Sequence, residues 1–304
     1  MGDDRMNLRI LFLATRPWSF IMTIVSSTIG LLFALQTINY DIILFPIVLV
    51  GLLAFHAAAN MVNDLLDVRY GVDSFSSPTA KYRRHYLLTK EISVSTFLNE
   101  ILFFYVIVVS ITVYLTFIRG WIVPIFTAIG LFFTYAYSGE PFKFKHQPIG
   151  ELSAFIVWGP LMTTGTYYVL TGNLHLSPMY ASIPIGMYVA LVLFANNLRD
   201  IEYDKAARVK TLAVILGKRR ALSFYKYFLL SIYLSLIFLV IFRIYSAYTL
   251  IAFLTLPKAY RLVKTFYERV PEAADPLTAH LAFNFGILII LGEIINYLQS
   301  SIFY

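Results

Sequence analysis

The chain has 304 residues, of which 59% are hydrophobic and 13% are charged, and its formal net charge is +7. Because soluble domains carry about 25% charged residues, this composition excludes an ordinary soluble protein and predicts an all-α protein that crosses a membrane several times. The absence of cysteine excludes disulfides, thiolate metal sites and cysteine nucleophiles.

Apolar stretches of about 17–25 residues, the length that spans a bilayer, recur from one end of the chain to the other. They leave no room for a separate soluble domain, so residues 1–304 are predicted to form a single transmembrane domain. The first stretch is interpreted as a retained helix, because no small-residue cleavage signal follows it. The nine predicted spans are 17–36, 42–60, 96–117, 121–138, 151–170, 178–197, 221–242, 245–264 and 276–297.

The distribution of basic residues predicts the orientation of these spans. With the N-terminus in the cytoplasm, all but two of the 24 lysines and arginines fall on the cytoplasmic side, the exceptions being Arg119 and Arg243. Cytoplasmic loops carry such an excess of lysine and arginine. We therefore expect a multi-pass protein of the cell membrane with a cytoplasmic N-terminus and an outside C-terminus.

Two short acidic stretches, 59–67 and 195–200, lie at the downstream ends of apolar runs and share the pattern Ala-Asn-x-x-x-Asp. The shared pattern predicts an internal repeat of two four-helix halves, near 10–140 and 141–270, with one further helix appended. Related halves of this kind place corresponding segments on either side of a central cavity. Both acidic stretches are therefore expected to face that cavity from the cytoplasmic side.

The acidic stretches predict a metal site. Carboxylates at a bilayer surface are costly to desolvate unless something binds them, and residues three and four apart share one helix face. Oxygen ligands without cysteine or histidine favour Mg²⁺, which keeps waters and is commonly shared with phosphate oxygens. The candidate ligands are Asn63, Asp64, Asp67, Asp73, Asp200 and Asp204. The alternative is that these groups only cap helix ends beside cytoplasmic water.

Polar and basic residues near the acidic stretches could bind the phosphate that shares this cation. Among the basic ones, Arg16, Lys81 and Lys145 are favoured because each adjoins a helix end that could border the cavity. For most of the others, contact with lipid headgroups is the simpler interpretation, and His56 is interpreted as a packed or hydrogen-bonded residue. The candidate phosphate-binding residues are Arg16, Asn60, Lys81, Arg84, Lys143, Lys145, Asn197 and Lys210.

Several stretches resemble the UbiA superfamily of intramembrane prenyltransferases. Residues 63–73 and 197–214 look like its two Asp-rich motifs. Residues 16–19, 137–152 and 159–168 are similar to the branch that prenylates 1,4-dihydroxy-2-naphthoate in menaquinone synthesis. The quoted motifs are Asn63-Asp64-x-x-Asp67 with Gly71-Val72-Asp73, and Asn197-Leu198-Arg199-Asp200 with Asp204 and Lys210-Thr211.

This resemblance implies a Mg²⁺-dependent transfer of a polyprenyl group from polyprenyl diphosphate to an aromatic, naphthoate-type acceptor. The reaction would take place within membrane lipid, and no nucleic-acid partner is expected. The resemblance implies that the candidate phosphate-binding residues bind the diphosphate group of this substrate. The catalytic roles fall on Asp64, Asp67, Asp200, Asp204 and Lys145.

Two positions depart from the pattern of the superfamily. Residue 71 is Gly where many relatives have a third Asp, and residues 84–87 read Arg-His-Tyr-Leu where relatives often have Arg-Pro-Leu. Two alternatives stay open at this point: geranylgeranyl transfer to a glyceryl phosphate lipid, and a cation-coupled transporter. The prenyl chain length, the residue that accepts the ring proton and the oligomeric state are not encoded in these patterns, nor is the choice of Asn60 or Asn63 as the amide nearer the metal.

Overall fold

The computed structural model of the protein describes residues 8–71 and 84–302, and within these ranges it contains helices and no strand. The α-helices are α1 (Leu8–Ala14), α2 (Phe20–Ala34), α3 (Leu44–Arg69), α4 (Val94–Arg119), α5 (Ile122–Ser138), α6 (Gly150–Ile156), α7 (Met162–Thr171), α8 (Leu176–Ala181), α9 (Ile183–Arg199), α10 (Ile201–Ala206), α11 (Leu212–Ile241), α12 (Leu256–Glu268) and α13 (Ala274–Ile302). Short 3₁₀ turns cover Pro17–Ser19 and Phe144–His146, a π-helical stretch (Val157–Leu161) joins α6 to α7, and a 3₁₀ stretch (Ala247–Thr255) leads into α12.

The predicted all-α, multi-pass fold is confirmed. Six helical segments of the described chain are long and apolar enough to cross a membrane: Pro17–Ala34, Leu44–Arg69, Val94–Arg119, Leu176–Arg199, Leu212–Ile241 and Ala274–Ser300. Ile122–Ser138 is a shorter apolar helix. The predicted spans 151–170 and 245–264 correspond to segments that contain the π-helical and 3₁₀ stretches, and the total of nine spans stays a prediction.

Two helix boundaries differ from the predicted ones. Helix α3 extends beyond the predicted membrane span, from residue 60 to Arg69. Helix α11 begins at Leu212 rather than at residue 221, and Gly217 interrupts it with a φ of 70°. The first acidic stretch consequently lies within the last turns of a helix, on which its polar side chains share a face.

Helix α9 lies at the centre of the bundle and α4 at its periphery. Tyr188 of α9 is fully buried, and its ring centroid lies 4.9 Å from that of Phe285 on α13. In α4 the buried residues, Phe97, Ile101, Val108 and Leu115, follow one helix face, while most other side chains are exposed apolar groups. Such a distribution is expected when one face packs on the bundle and the rest contacts lipid.

The π-helical stretch packs against α9 through two glycines. A Cβ atom on Gly186 would lie 2.9 Å from the carbonyl oxygen of Phe155 and 3.0 Å from the Cα of Gly159. In a membrane, small residues of this kind allow two helices to approach closely. This contact holds the segment that contains Trp158 against the centre of the bundle.

Candidate active site

A cavity of about 770 Å³ lies among the helices near the ends of α3 and α9. Its polar lining includes Asn60, Asn63, Asp67, Asn196, Asn197, Asp200 and Asp204. Its apolar lining includes Phe55, Phe133, Val157, Trp158, Met162 and Val189. Both acidic stretches thus face one cavity, which has a polar end and a largely apolar and aromatic body.

The carboxylates of the first stretch pair with basic residues from other segments. Asp64 is buried and forms an ion pair with Arg16, and the Nε2 atom of His85 lies 3.8 Å from its Oδ1 atom. Asp67 is also buried and forms an ion pair with Lys145. The chain therefore supplies its own cations at this end of the cavity.

The two asparagines of the first stretch use different amide atoms in their hydrogen bonds to the protein: Asn63 accepts through its oxygen, and Asn60 donates through its nitrogen. Asn63 accepts hydrogen bonds at Oδ1 from Ser138 Oγ (2.6 Å) and from the Lys145 ammonium (3.1 Å). Asn60 donates from Nδ2 to the carbonyl oxygen of Thr15 (2.9 Å) and to Ser19 Oγ (3.0 Å). Because an ammonium can only donate and a carbonyl can only accept, these partners fix both amide orientations. Asn63 keeps its NH₂ group, and Asn60 its oxygen, turned away from these partners.

The second stretch does not lie on one continuous helix. Helix α9 ends at Arg199 and α10 begins at Ile201, with Asp200 at the junction. The guanidinium of Arg199 folds back at this junction and donates to both carboxylate oxygens of Asp200, at 2.6 and 2.7 Å. It also donates to Asp275 Oδ1 (2.6 Å) in the first turn of α13. This network ties the second stretch to the last helix and positions Asp200 on the cavity wall.

Asn197 points to a carboxylate that lies outside the two stretches. Its Nδ2 atom donates to Glu151 Oε1 at 2.9 Å, and both side chains are buried. Glu151 belongs to α6, so this hydrogen bond joins α6 to α9 beside the polar end of the cavity.

Shifted pKa values show that the two stretches influence common groups. Burial, together with the positive charge of Arg16, lowers the pKa of Lys145 to about 7, against the opposing effect of Asp64 and Asp204. Burial and repulsion by Asp200 raise the pKa of Asp204 to about 7, against the opposing effect of Thr211, Arg199 and Lys145. Lys145 therefore interacts with carboxylates of both stretches.

The remaining predicted residues are placed less centrally. Arg84 lines the cavity, but its side chain is 67% exposed and pairs with Glu91 at 2.7 Å. Lys143 pairs with Glu140 at 2.7 Å, and Lys210 is exposed; neither belongs to the cavity lining. Asp73 and Lys81, which were also predicted to belong to the site, lie outside the residues that the structure describes.

Sequence reasoning missed several polar residues near the polar end. Glu151 and Arg199 occur inside stretches that carry the family resemblance, so their position next to the motifs was an available signal. His85 follows Arg84 in a short polar run, while Asp275 precedes the last apolar span without any pattern of its own. The structure places all four beside the acidic stretches or in contact with them.

The donor set fits a magnesium ion that is bound together with a phosphate group. Among the residues that the structure describes, no three His, Cys, Asp or Glu side chains form a ready-made metal cluster. The carboxylates are instead paired with Arg16, Lys145 and Arg199. Mg²⁺ is usually held by one or two carboxylates plus substrate phosphates and water, which suits separated oxygen donors of this kind.

The sequence matches a known family model and several curated relatives. A family model described as the UbiA prenyltransferase family matches residues 18–285. The chain is 28% identical over 297 residues to a 1,4-dihydroxy-2-naphthoate octaprenyltransferase of Bacillus subtilis, covering 96% of this chain and 94% of the relative. It is also 28% identical over 287 residues to UbiA prenyltransferase domain-containing protein 1 of Xenopus tropicalis, covering 93% of this chain and 81% of the relative.

Two solved structures share the fold. The apo structure of a UbiA homolog from Aeropyrum pernix matches with a TM-score of 0.68 and 17% identity, over 91% of this chain and 98% of that one. A UbiA homolog from Archaeoglobus fulgidus, bound to GPP and Mg²⁺, matches with a TM-score of 0.60 and 16% identity, over 92% of this chain and 99% of that one. At these identities, the likeness establishes the helical architecture.

Proposed function

The chain belongs to the UbiA prenyltransferase family, and we propose that this prenyltransferase transfers a polyprenyl group from polyprenyl diphosphate to a naphthoate-type aromatic acceptor. The observation that carries the proposal is the single cavity that joins two acidic stretches, with their basic partners, to an apolar and aromatic body. The naphthoate octaprenyltransferase of Bacillus subtilis supports the acceptor class, since that relative matches nearly the whole chain.

The polar end of the cavity is suited to a diphosphate group. Arg16 and Lys145 both line the cavity, and each can exchange its carboxylate partner for phosphate oxygens. The NH₂ group of Asn63 adds a neutral donor, while the oxygen of Asn60 and the carboxylates of Asp67 and Asp200 suit a cation. Mg²⁺ bound by these oxygens would neutralise negative charge on the departing diphosphate.

The rest of the cavity is suited to an allylic cation. As the bond between C1 of the prenyl chain and the diphosphate oxygen breaks, positive charge develops on the prenyl group and negative charge on the diphosphate. Arg16 and Lys145 stabilise the leaving diphosphate by charge neutralisation. Phe133, Tyr137 and Trp158 line the cavity and can attract the cation at about 0.5–2 kcal/mol for each well-placed ring.

Completing the reaction requires that the acceptor ring, rather than water, reaches the cation. A carbon of the electron-rich ring forms a bond to C1, and the same ring carbon then loses a proton. Apolar walls around this step exclude water, which would otherwise capture the cation. The largely apolar lining of the cavity body meets this requirement.

A smaller apolar cavity of about 100 Å³ offers a path for the prenyl tail. It lies among α3, α4, α5 and α7, and it shares Leu52, Phe55, Val157 and Met162 with the lining of the large cavity. Its polar side chains include Thr112 and Thr127, whose hydroxyl groups bond to each other at 3.0 Å. An apolar chain can therefore enter it without breaking a hydrogen bond to the protein.

The orientation follows from the basic residues, since the positive-inside rule puts the polar end of the cavity on the cytoplasmic side. Water-soluble acceptors would then reach the site from the cytoplasm, and the prenyl chain would extend into the bilayer. Labelling of single cysteines introduced at exposed Lys210 and Arg243, in intact cells, tests this arrangement, because the native chain has no cysteine.

An acceptor panel tests the function. Purified protein is supplied with Mg²⁺, a polyprenyl diphosphate and either 1,4-dihydroxy-2-naphthoate or a glyceryl phosphate, and prenylated product and released diphosphate are measured. We expect product only with the naphthoate, and Asp64→Asn as a paired variant should release no diphosphate. Product only with the glyceryl phosphate would instead establish the ether-lipid alternative. Solute flux across vesicles without diphosphate release would indicate a transporter.

A further inference from the structure

We propose that His56 is a positioning residue that acts through Ser19 to hold Arg16 at the diphosphate end of the cavity. This inference rests on the proposed function, because it is there that Arg16 receives a phosphate-binding role. His56 lies on α3, two helical turns before Asp64, so it is about 12 Å along the helix from the carboxylate that Arg16 contacts.

The turn that contains Arg16 has an unfavourable backbone conformation. Arg16 has φ 57° and ψ 57°, a left-handed conformation that residues with a Cβ atom rarely adopt. Its carbonyl oxygen accepts hydrogen bonds from Ser19 N (2.9 Å) and from Ser19 Oγ (2.8 Å). The preceding carbonyl, of Thr15, accepts from Asn60 Nδ2 (2.9 Å). Residues 15–19 are thus held in this shape by hydrogen bonds, several of which originate on α3.

The hydrogen-bond partners of Ser19 determine which ring nitrogen of His56 carries the proton. The Ser19 hydroxyl has one proton, which it donates to the Arg16 carbonyl, so its oxygen must accept from His56 Nε2 at 3.2 Å. Nε2 therefore carries the imidazole proton, and Nδ1 accepts from the Thr23 hydroxyl at 2.8 Å. Both ring nitrogens are used, and the neutral imidazole serves as a fixed donor to Ser19.

Packing keeps the imidazole in this place. His56 is 7% exposed, and its ring centroid lies 5.3 Å from that of Phe20 and 5.0 Å from that of Trp158. Because α3 supplies both His56 and Asp64, one rigid helix contacts the 15–19 turn and also the guanidinium that projects from it. The path from His56 through Ser19 to Arg16 therefore sets where that guanidinium lies before a ligand arrives.

Paired substitutions in the full-length protein separate positioning from packing. His56→Phe keeps a ring between Phe20 and Trp158 but removes the donor, whereas His56→Gln restores a donor near the position of Nε2. With inorganic pyrophosphate and Mg²⁺ as the probe, calorimetry should show that His56→Phe weakens binding about tenfold, and His56→Gln should recover most of the loss. Arg16→Met should weaken binding at least as much, and adding His56→Phe to it should cause no further loss.

A matched control removes a buried hydrogen bond elsewhere. Thr255 Oγ1 lies 2.7 Å from the Tyr233 hydroxyl, away from the cavity lining, and Thr255→Val should leave pyrophosphate affinity unchanged. Additive effects of Arg16→Met and His56→Phe would overturn the inference. So would an unchanged pyrophosphate affinity in His56→Phe combined with a raised KM for the naphthoate, because His56 would then contact the acceptor. Failure of the wild-type protein to bind pyrophosphate would instead overturn the proposed function itself.

Discussion

The two ends of the helix bundle satisfy their buried charges in different ways. Near the start of α3, far from its acidic turns, Arg119 donates to the backbone carbonyls of Val169 (2.6 Å) and Leu170 (3.2 Å). Buried Glu293 likewise accepts from the backbone N–H of Ser246 at 2.8 Å. These charges complete the hydrogen bonding of helix ends, which is a structural task.

At the polar end of the cavity, charged side chains form close ion pairs with one another, whereas at the opposite end Arg119 and Asp41 lie 3.9 Å apart. Arg16 contacts Asp64, Lys145 contacts Asp67, and Arg199 binds both oxygens of Asp200. When a side chain leaves a backbone group at a helix end, that group loses its hydrogen-bond partner, whereas in an ion pair either side chain can change rotamer and take a new partner. The comparison therefore separates charges that stabilise the fold from charges that are available to a ligand.

The largest expected effect comes from removing a carboxylate at the polar end. Asp64→Ala or Asp200→Ala should lower Mg²⁺-dependent diphosphate release by at least about 100-fold, because charge on the leaving group loses its stabilisation. Folding should persist, as measured by size-exclusion chromatography and thermal unfolding in detergent. Asp41→Ala, at the opposite end of α3, is the matched control and should retain activity. Full activity in Asp64→Ala or Asp200→Ala would contradict the shared-metal site.

A smaller effect is expected from Lys145, which interacts with carboxylates of both stretches. Lys145→Ala should weaken prenyl diphosphate binding roughly 10- to 100-fold, as expected for the loss of a hydrogen bond to a charged group. The KM for the naphthoate should stay nearly constant, which a paired titration of both substrates would show. Unchanged diphosphate affinity would instead limit Lys145 to a structural role as the partner of Asp67.

The opposite end should respond in stability rather than in activity. Glu293→Leu leaves Ser246 N and Gln36 Nε2 without their acceptor, and should cost about 1–3 kcal/mol in the free energy of unfolding. The kcat and KM of the folded fraction should match the wild-type values. Glu268→Leu, which changes a largely exposed side chain on α12, is the control with little expected effect. A loss of activity without a loss of stability in Glu293→Leu would break the distinction between the two ends.

The smallest effect is expected from Lys143, which was predicted to bind diphosphate but lies outside the cavity lining. Its partners are Glu140 and the ring of Tyr70, whose centroid lies 4.1 Å from Nζ. Because Lys143 lies outside the cavity lining and its partly exposed ion pair contributes little, Lys143→Ala should change diphosphate affinity by less than about twofold. A loss as large as that in Lys145→Ala would return Lys143 to the binding site.

The fold was predictable where hydropathy and length decide it. Apolar runs such as those in α3, α4 and α13 exceed the thickness of a bilayer, so their existence follows from the sequence. The π-helical stretch Val157–Leu161 and the 3₁₀ stretch Ala247–Thr255 were not predicted. Both have ordinary apolar composition, and tertiary packing rather than hydropathy determines their hydrogen-bond spacing.

The candidate site was predictable where a pattern is repeated. The matching acidic stretches predicted that both would face one cavity. The structure places Asp67, Asp200 and Asp204 in its lining, whereas Asp64, which pairs with Arg16, is not part of that lining. Asp275 could not be identified in this way, because a single carboxylate near an apolar span carries no pattern and its partner, Arg199, comes from a different helix. Lys143 shows the converse limit, since proximity to a helix end does not determine which way a side chain points.

The glycine contact between the π-helical stretch and α9 has a consequence for the dimensions of the reaction chamber. A Cβ atom added at Gly186 would lie only 3.0 Å from the Cα of Gly159, so the two segments leave no room for a methyl group at this point. A methyl group at position 186 would push the segment that contains Trp158 away from α9, and it would change none of the proposed catalytic groups. The width of the chamber, and with it the size of the molecules that it admits, therefore depends on the absence of side chains at Gly159 and Gly186.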